Sequence, residues 1–374
     1  MPYRDDWDQV RERMIAWWAG EDIGRPAMYI AVPSGRAADI PQPRSLEQRW
    51  LDIDFRVRQA EAVWQATTYL AEAHPFVFTN LGPSIMSAYL GCDLVLQEAT
   101  TWQPPCLKSW DDWRPHFDPG NRWWRLTVEL TEALAEAGRD RWLTSITDLG
   151  DAFDTLSHMR GPERLCIDLI ENREQVRAAA QWLEQLWCRL YDELYQITVR
   201  HGADGSCGWL TIWAPGKTFP LQCDFSCMIS PRDFEELVVP ELRRQAAWLD
   251  QCIYHWDGPG ALPHKDLLLA IEEIDGVQWV PGAGNRSQAE WPELLRHIVG
   301  AGKKIHLGCS PEQLLALVEV IPHTHIFAHV WGLPDKAAAD KFIREVEAAC
   351  RKRRIFNLPP PGTPYEGEAW QQSL

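Results

Sequence analysis

The chain has ten cysteines but no Cys-x-x-Cys pair, which excludes a zinc ribbon and a thioredoxin-like redox motif. The thiols stand singly (Cys92, Cys106, Cys166, Cys188, Cys350) or loosely grouped (Cys207, Cys223, Cys227). Reduced side chains buried as small hydrophobes are the expectation. No apolar run approaches the ~20 residues that cross a bilayer. Basic residues are scarce as well. The 37 of them against 53 acidic ones leave a formal charge of −16, which argues against nucleic acid or an anionic membrane as partner. The opening segment Met1–Asp8 carries neither the basic nor the apolar region of a secretory signal, so a cytoplasmic location is expected.

What is present is an ordinary globular composition, 45% hydrophobic and 24% charged over 374 residues, enough for one large barrel or two medium domains. Tryptophan is the outlier, with 21 copies. Trp209, Trp213, Trp256, Trp279 and Trp331 flank polar candidates. Indoles beside a site suit a flat or sugar-like ligand, and aromatic core packing accounts for them equally well.

Short apolar runs alternate with amphipathic stretches from end to end. Strands are expected at Ala27–Val32, Phe76–Leu81, Trp142–Asp148, Trp209–Trp213, Cys252–Asp257, Val277–Pro281, Lys304–Cys309 and Ile326–Trp331. Helical patterns lie between them, with serine N-caps and N1 prolines at Ser230-Pro231 and Ser310-Pro311. The alternation predicts an α/β fold, a (β/α)8 TIM barrel with additional N-terminal helices in residues 1–25 and 46–73, and an open doubly wound sheet is the alternative. Residues 1–356 read as a single domain, and 357–374, with Pro359-Pro360-Pro361, as an irregular tail.

The densest polar feature is Tyr254–Gly260 followed by His264-Lys265-Asp266. A strand breaks there into glycine and proline where imidazoles and carboxylates accumulate. Alternate strand residues point the same way, so His255-x-Asp257 suits a metal or a proton transfer. The other strand ends supply Asn80; Asp148 with Asp151 and Asp154; Lys217, Gln222 and Asp224; Gln278 and Trp279; His306 and Cys309; and His329. Asp148, Asp257 and His264 are the candidates for proton transfer and its orientation. Asn80, Trp213, Gln222, Asp224, Gln278 and Trp279 are the candidates for substrate contact.

Asp148-Leu149-Gly150-Asp151-Ala152-Phe153-Asp154, Arg160-Gly161, the helix opened by Ser230-Pro231-Arg232-Asp233-Phe234, and the His255-x-Asp257-Gly258 turn carry a likeness. The chain resembles the uroporphyrinogen decarboxylase superfamily, in a bacterial branch related to its cobalamin-dependent methyltransferases. The resemblance implies a (β/α)8 barrel acting on a small molecule, as monomer or homodimer. It also implies zinc or another divalent metal at the His255 turn and a corrinoid on a separate protein, or a folate, as methyl carrier. Matched on that turn, His255 and Asp257 are metal ligands, with His329 as third ligand and His306 or Cys309 as alternatives. The arginine-rich opening motif of the decarboxylases is absent, so uroporphyrinogen is not the expected substrate. A carboxy-lyase acting on a small carboxylate or sugar-derived acid is the alternative activity, with Asp148 or Asp257 as proton donor.

Overall fold

The structure, a computed structural model, describes residues 3–353. The tail expected at 357–374 lies outside the described residues. Thirteen strands occur among these: β1 (Ala27–Pro33), β2 (Thr67–Ala71), β3 (Phe76–Phe78), β4 (Val95–Leu96), β5 (Thr101–Trp102), β6 (Leu143–Ser145), β7 (Ser206–Cys207), β8 (Trp213–Ala214), β9 (Thr218–Gln222), β10 (Gln251–Asp257), β11 (Gly276–Val280), β12 (Lys304–Cys309) and β13 (Ile326–Val330). Seven form one sheet in the order β2-β1-β13-β12-β11-β10-β9. All its neighbours are parallel except β2, which runs antiparallel to β1. The α/β class and the parallel sheet are as expected.

Closure is not. β3 and β6 pair only with each other, so hydrogen bonding leaves the sheet open rather than closing eight strands into a ring. Two local causes are visible. β2 occupies the free edge of β1, and the strand expected at Trp209–Trp213 forms only at its last residue, in β8. Residues 208–212 instead make an irregular buried segment, with Thr211 held at φ 63°. The regular strand comes later, at β9, where Pro220 lies beneath Gly208.

Strand alternation sorts side chains onto two faces. On β10, Cys252, Tyr254 and Trp256 enter the large core shared with the surrounding helices. Ile253 joins a smaller cluster with Trp7, Trp17, Trp213 and Phe327, and His255 and Asp257 follow it on that inner face. The helix Trp7–Trp18 covers the N-terminal ends of the strands: Trp17 donates to the Ile326 carbonyl at 3.1 Å, and the Lys304 ammonium lies over its ring. The opposite ends are left to the polar residues. Cys92 and Cys106 are joined in a disulfide, which corrects the expectation that every thiol is free. A bridge of this loop length stabilises by about 3 kcal/mol in the chain-entropy account.

Candidate functional site

The register of β9, β10, β11 and β12 aligns Gln222 with His255, His255 with Gln278, and Gln278 with His306. These four share the inner face at the carboxyl ends of the strands. Two residues beyond Gln222 comes Asp224, and two beyond His255 comes Asp257. Asp224, His255 and Asp257 consequently offer one ligand atom each within 4.8 Å of one another.

His255 is oriented from behind. Its Nδ1 lies 2.6 Å from Gln278 Oε1, so Nδ1–H donates and Nε2 keeps its lone pair. The Trp209 indole meets the imidazole edge-on, with centroids 4.8 Å apart. Burial lowers the His255 pKa against the raising effects of Gln278 and Asp257, which keeps the ring neutral and able to coordinate.

Asp224 lies exposed on the rim, with protein closing its other sides. That loss of solvation raises its pKa to about 8, and the charges of Asp154, Asp257 and Asp148 push the same way. Its backbone is pinned from below: Asp154 accepts the amides of Asp224 at 3.1 Å and Phe225 at 2.8 Å. Gln222 Nε2 reaches Asp154 Oδ2 at 3.4 Å. Asp151 caps the helix Ala152–Arg160 by accepting from the Asp154 amide, and lies with Cys223 in a second, fully buried acidic group.

Asp148 is buried three residues beyond the end of β6. Burial raises its pKa to about 7, the Asp154 charge adds to this, and the Gly150 amide, donating at 2.8 Å, opposes it. Ser84, a non-glycine residue with φ at 48°, gives its backbone amide to Asp148. Such strain tends to persist where surrounding structure over-determines it, often at functional sites.

The other sequence candidates fall elsewhere. Asn80 closes its own turn by accepting from the Gly82 amide. Trp213 packs edge-on against Trp7, beneath the sheet. Trp279 points outward into the helical core between Trp256 and Trp291, because it has the opposite parity to Gln278. Cys309 faces outward too, and burial lifts its thiol to about 12. His306 donates from Nε2 to the Leu210 carbonyl at 2.8 Å and stacks on Phe327. It serves the buried 208–212 segment, which lacks strand partners for its carbonyls. His329 is on the inner face but packs on Tyr29 and is not among the grouped ligand atoms. His264 is a positioning residue: Nε2 donates to the Ser226 carbonyl at 2.8 Å and the ring stacks on Phe234, fixing the turn that follows Asp224.

Beside this group a cleft of about 490 Å³ opens between β11, β12, β13 and the segment 281–288. No family model and no curated protein matches the chain. Among solved structures it is similar to a methyltransferase from Methanosarcina mazei, with a TM-score of 0.58 and 12% identity over 92% of this chain and 99% of that one. The two share a fold over nearly their full lengths. No helix of the described residues is long and apolar enough to cross a membrane.

Proposed function

We propose that this chain is a metal-assisted methyltransferase-like enzyme of the uroporphyrinogen decarboxylase superfamily, its sheet and the β3–β6 pair being an incompletely bonded (β/α)8 barrel. The observation that carries the reading is the convergence of Asp224, His255 and Asp257. The donor set fits a divalent ion. One neutral imidazole with its far nitrogen hydrogen-bonded is the usual orientation of a ligating histidine. Loss of solvation is the main cause of the raised Asp224 pKa, and the repulsion from Asp154, Asp257 and Asp148 that adds to it is what a dication relieves. Two carboxylates and one imidazole make a hard set, suited to zinc or a comparable ion. A bound ion supplies Lewis acidity to a thiol, hydroxyl or water on its open face.

The chain's own residues do the rest. Gln278 sets the His255 tautomer, Trp209 shields one flank of the ring, and Asp154 holds the Asp224 backbone. The carrier, a corrinoid on a separate protein or a folate, rests on the resemblance alone. Elemental analysis of protein purified without chelator tests the centre, with near one divalent ion per chain expected and loss in His255→Ala. Loss of methyl–cobalt absorbance from methylcobalamin with an acceptor panel tests the reaction. Full metal occupancy in His255→Ala, or no demethylation by metal-loaded protein, overturns the respective part.

One observation favours a carboxy-lyase as second reading. Asp148, half protonated near neutrality, is a buried proton donor. Carbon dioxide release from small acids, lost in Asp148→Asn and independent of any methyl donor, distinguishes it.

A further inference from the structure

We infer that the cleft between Gln278 and Trp331 binds a ring-bearing monocarboxylate that also carries a hydroxyl, with the carboxylate at Arg286 and the other end directed to the Asp224–His255–Asp257 group. This deepens the reading above, since it names the substrate class of the same site. At about 490 Å³ the cleft has the size of a small-molecule site, typically about 300–1,000 Å³.

Four observations set the ligand chemistry. First, the Arg286 guanidinium lies 4.0 Å over the Trp291 ring at the lip. Glu290, four residues on, turns one oxygen, Oε2, to the amide and hydroxyl of Ser287, and the Arg286 charge is the smallest of the influences on it. A planar, fixed guanidinium is the group that binds a carboxylate in two parallel hydrogen bonds. Second, His306 is 3% exposed, lines the cleft, and leaves Nδ1 without a partner. With Nε2–H given to Leu210, Nδ1 can only accept. Burial holds the imidazole neutral, at a pKa of about 3, so the ligand must bring a donor such as a hydroxyl. Third, Trp331 is 52% exposed and spreads its ring over Gly308, where a Cβ would collide with it. An open indole held flat is a platform for a ring. Fourth, charge sets the direction. The residues that line the cleft include one guanidinium, Arg286, and no carboxylate, so an anionic group is drawn to that end and the rest of the ligand extends along the cleft toward Gln278. Gln278 joins the two regions, because it lines the cleft and holds His255.

Calorimetric titration of the purified protein with 4-hydroxybenzoate, its uncharged methyl ester and benzoate tests this. The acid should bind at least tenfold tighter than the ester, through Arg286, and tighter than benzoate, through His306. Arg286→Gln should abolish the preference for acid over ester, and Trp331→Ala should weaken all three. Both side chains are exposed, so these variants should keep the fold, which a thermal melt verifies. Equal binding of acid and ester, a preference that survives Arg286→Gln, or no binding at millimolar acid overturns the inference. His255→Ala separates the two proposals: it should lose metal yet retain the acid-over-ester preference.

Discussion

Gln278 Oε1 sits 2.6 Å from His255 Nδ1, on the adjacent parallel strand and in direct register with it. One amide thereby decides which imidazole nitrogen faces Asp224 and Asp257. Gln278→Ala should leave the three ligands in place but free the ring to rotate, weakening metal binding by about 10–100-fold. His255→Ala and Asp224→Asn should weaken it more, and His329→Ala should not change it. Titration with zinc against a competing chelator measures all four.

The raised carboxyls give the apoprotein a characteristic pH dependence. Asp148 rises from an ordinary 3.8 to about 7 and Asp224 to about 8, so the folded state binds more protons than the unfolded one between these limits. The stability they contribute is complete below pH 4 and is lost as pH rises through 7 to 8. Buried histidines whose pKa is lowered, His255 and His306 among them, act in the opposite sense below about pH 6.5, so the test is a difference: between pH 5 and pH 8.5 the Tm of metal-free protein should fall relative to that of Asp148→Asn. Glu241, raised to about 8 by burial, lies outside the site and contributes in the same sense in both proteins.

Metal should reverse that trend. Protons compete with an ion for Asp224 below its pKa, and ligation requires the deprotonated carboxylate. Added zinc should raise Tm more at pH 8.5 than at pH 5.5, by a margin that shrinks in Asp224→Asn. Equal shifts at both pH values would place the ion elsewhere.

Gly150 holds φ at +67°, and a Cβ there would strike Ser84. Gly150→Ala should cost about 1–2 kcal/mol for the left-handed conformation alone, and more from displacing Ser84. The amide that donates to Asp148 shifts with it. Urea unfolding gives the stability loss, and the pH profile of the melt should change alongside it.

His264→Asn removes the hydrogen bond to the Ser226 carbonyl and the stack on Phe234. The Ser226 carbonyl keeps the Ile229 amide at 3.3 Å, so the loss is that of one net hydrogen bond, about 0.5–1.5 kcal/mol, together with the ring stack. Metal affinity should fall less than in His255→Ala, since the effect passes through the turn that carries Asp224.

Periodicity and turn chemistry were sufficient for seven of the eight expected strands, for the parallel α/β arrangement and for the His255-x-Asp257 pair, because these are local: alternate residues share a face whatever the strand meets. The same parity argument, applied to Gln278-Trp279, places Trp279 outward, and applied to His306 through Cys309 it turns the cysteine away from the mouth. Other features were not local. Trp209–Trp213 has the composition of a strand, yet burial beneath the mouth made it a loop whose Leu210 carbonyl depends on His306, a residue 96 positions away. The partner of His255 and Asp257 was decided by the β9–β10 pairing, which sets Asp224 rather than His329 beside them. Spacing along a chain specifies which side chains share a face; which faces meet depends on strand pairing between distant segments, and that is settled only when the sheet and its core assemble.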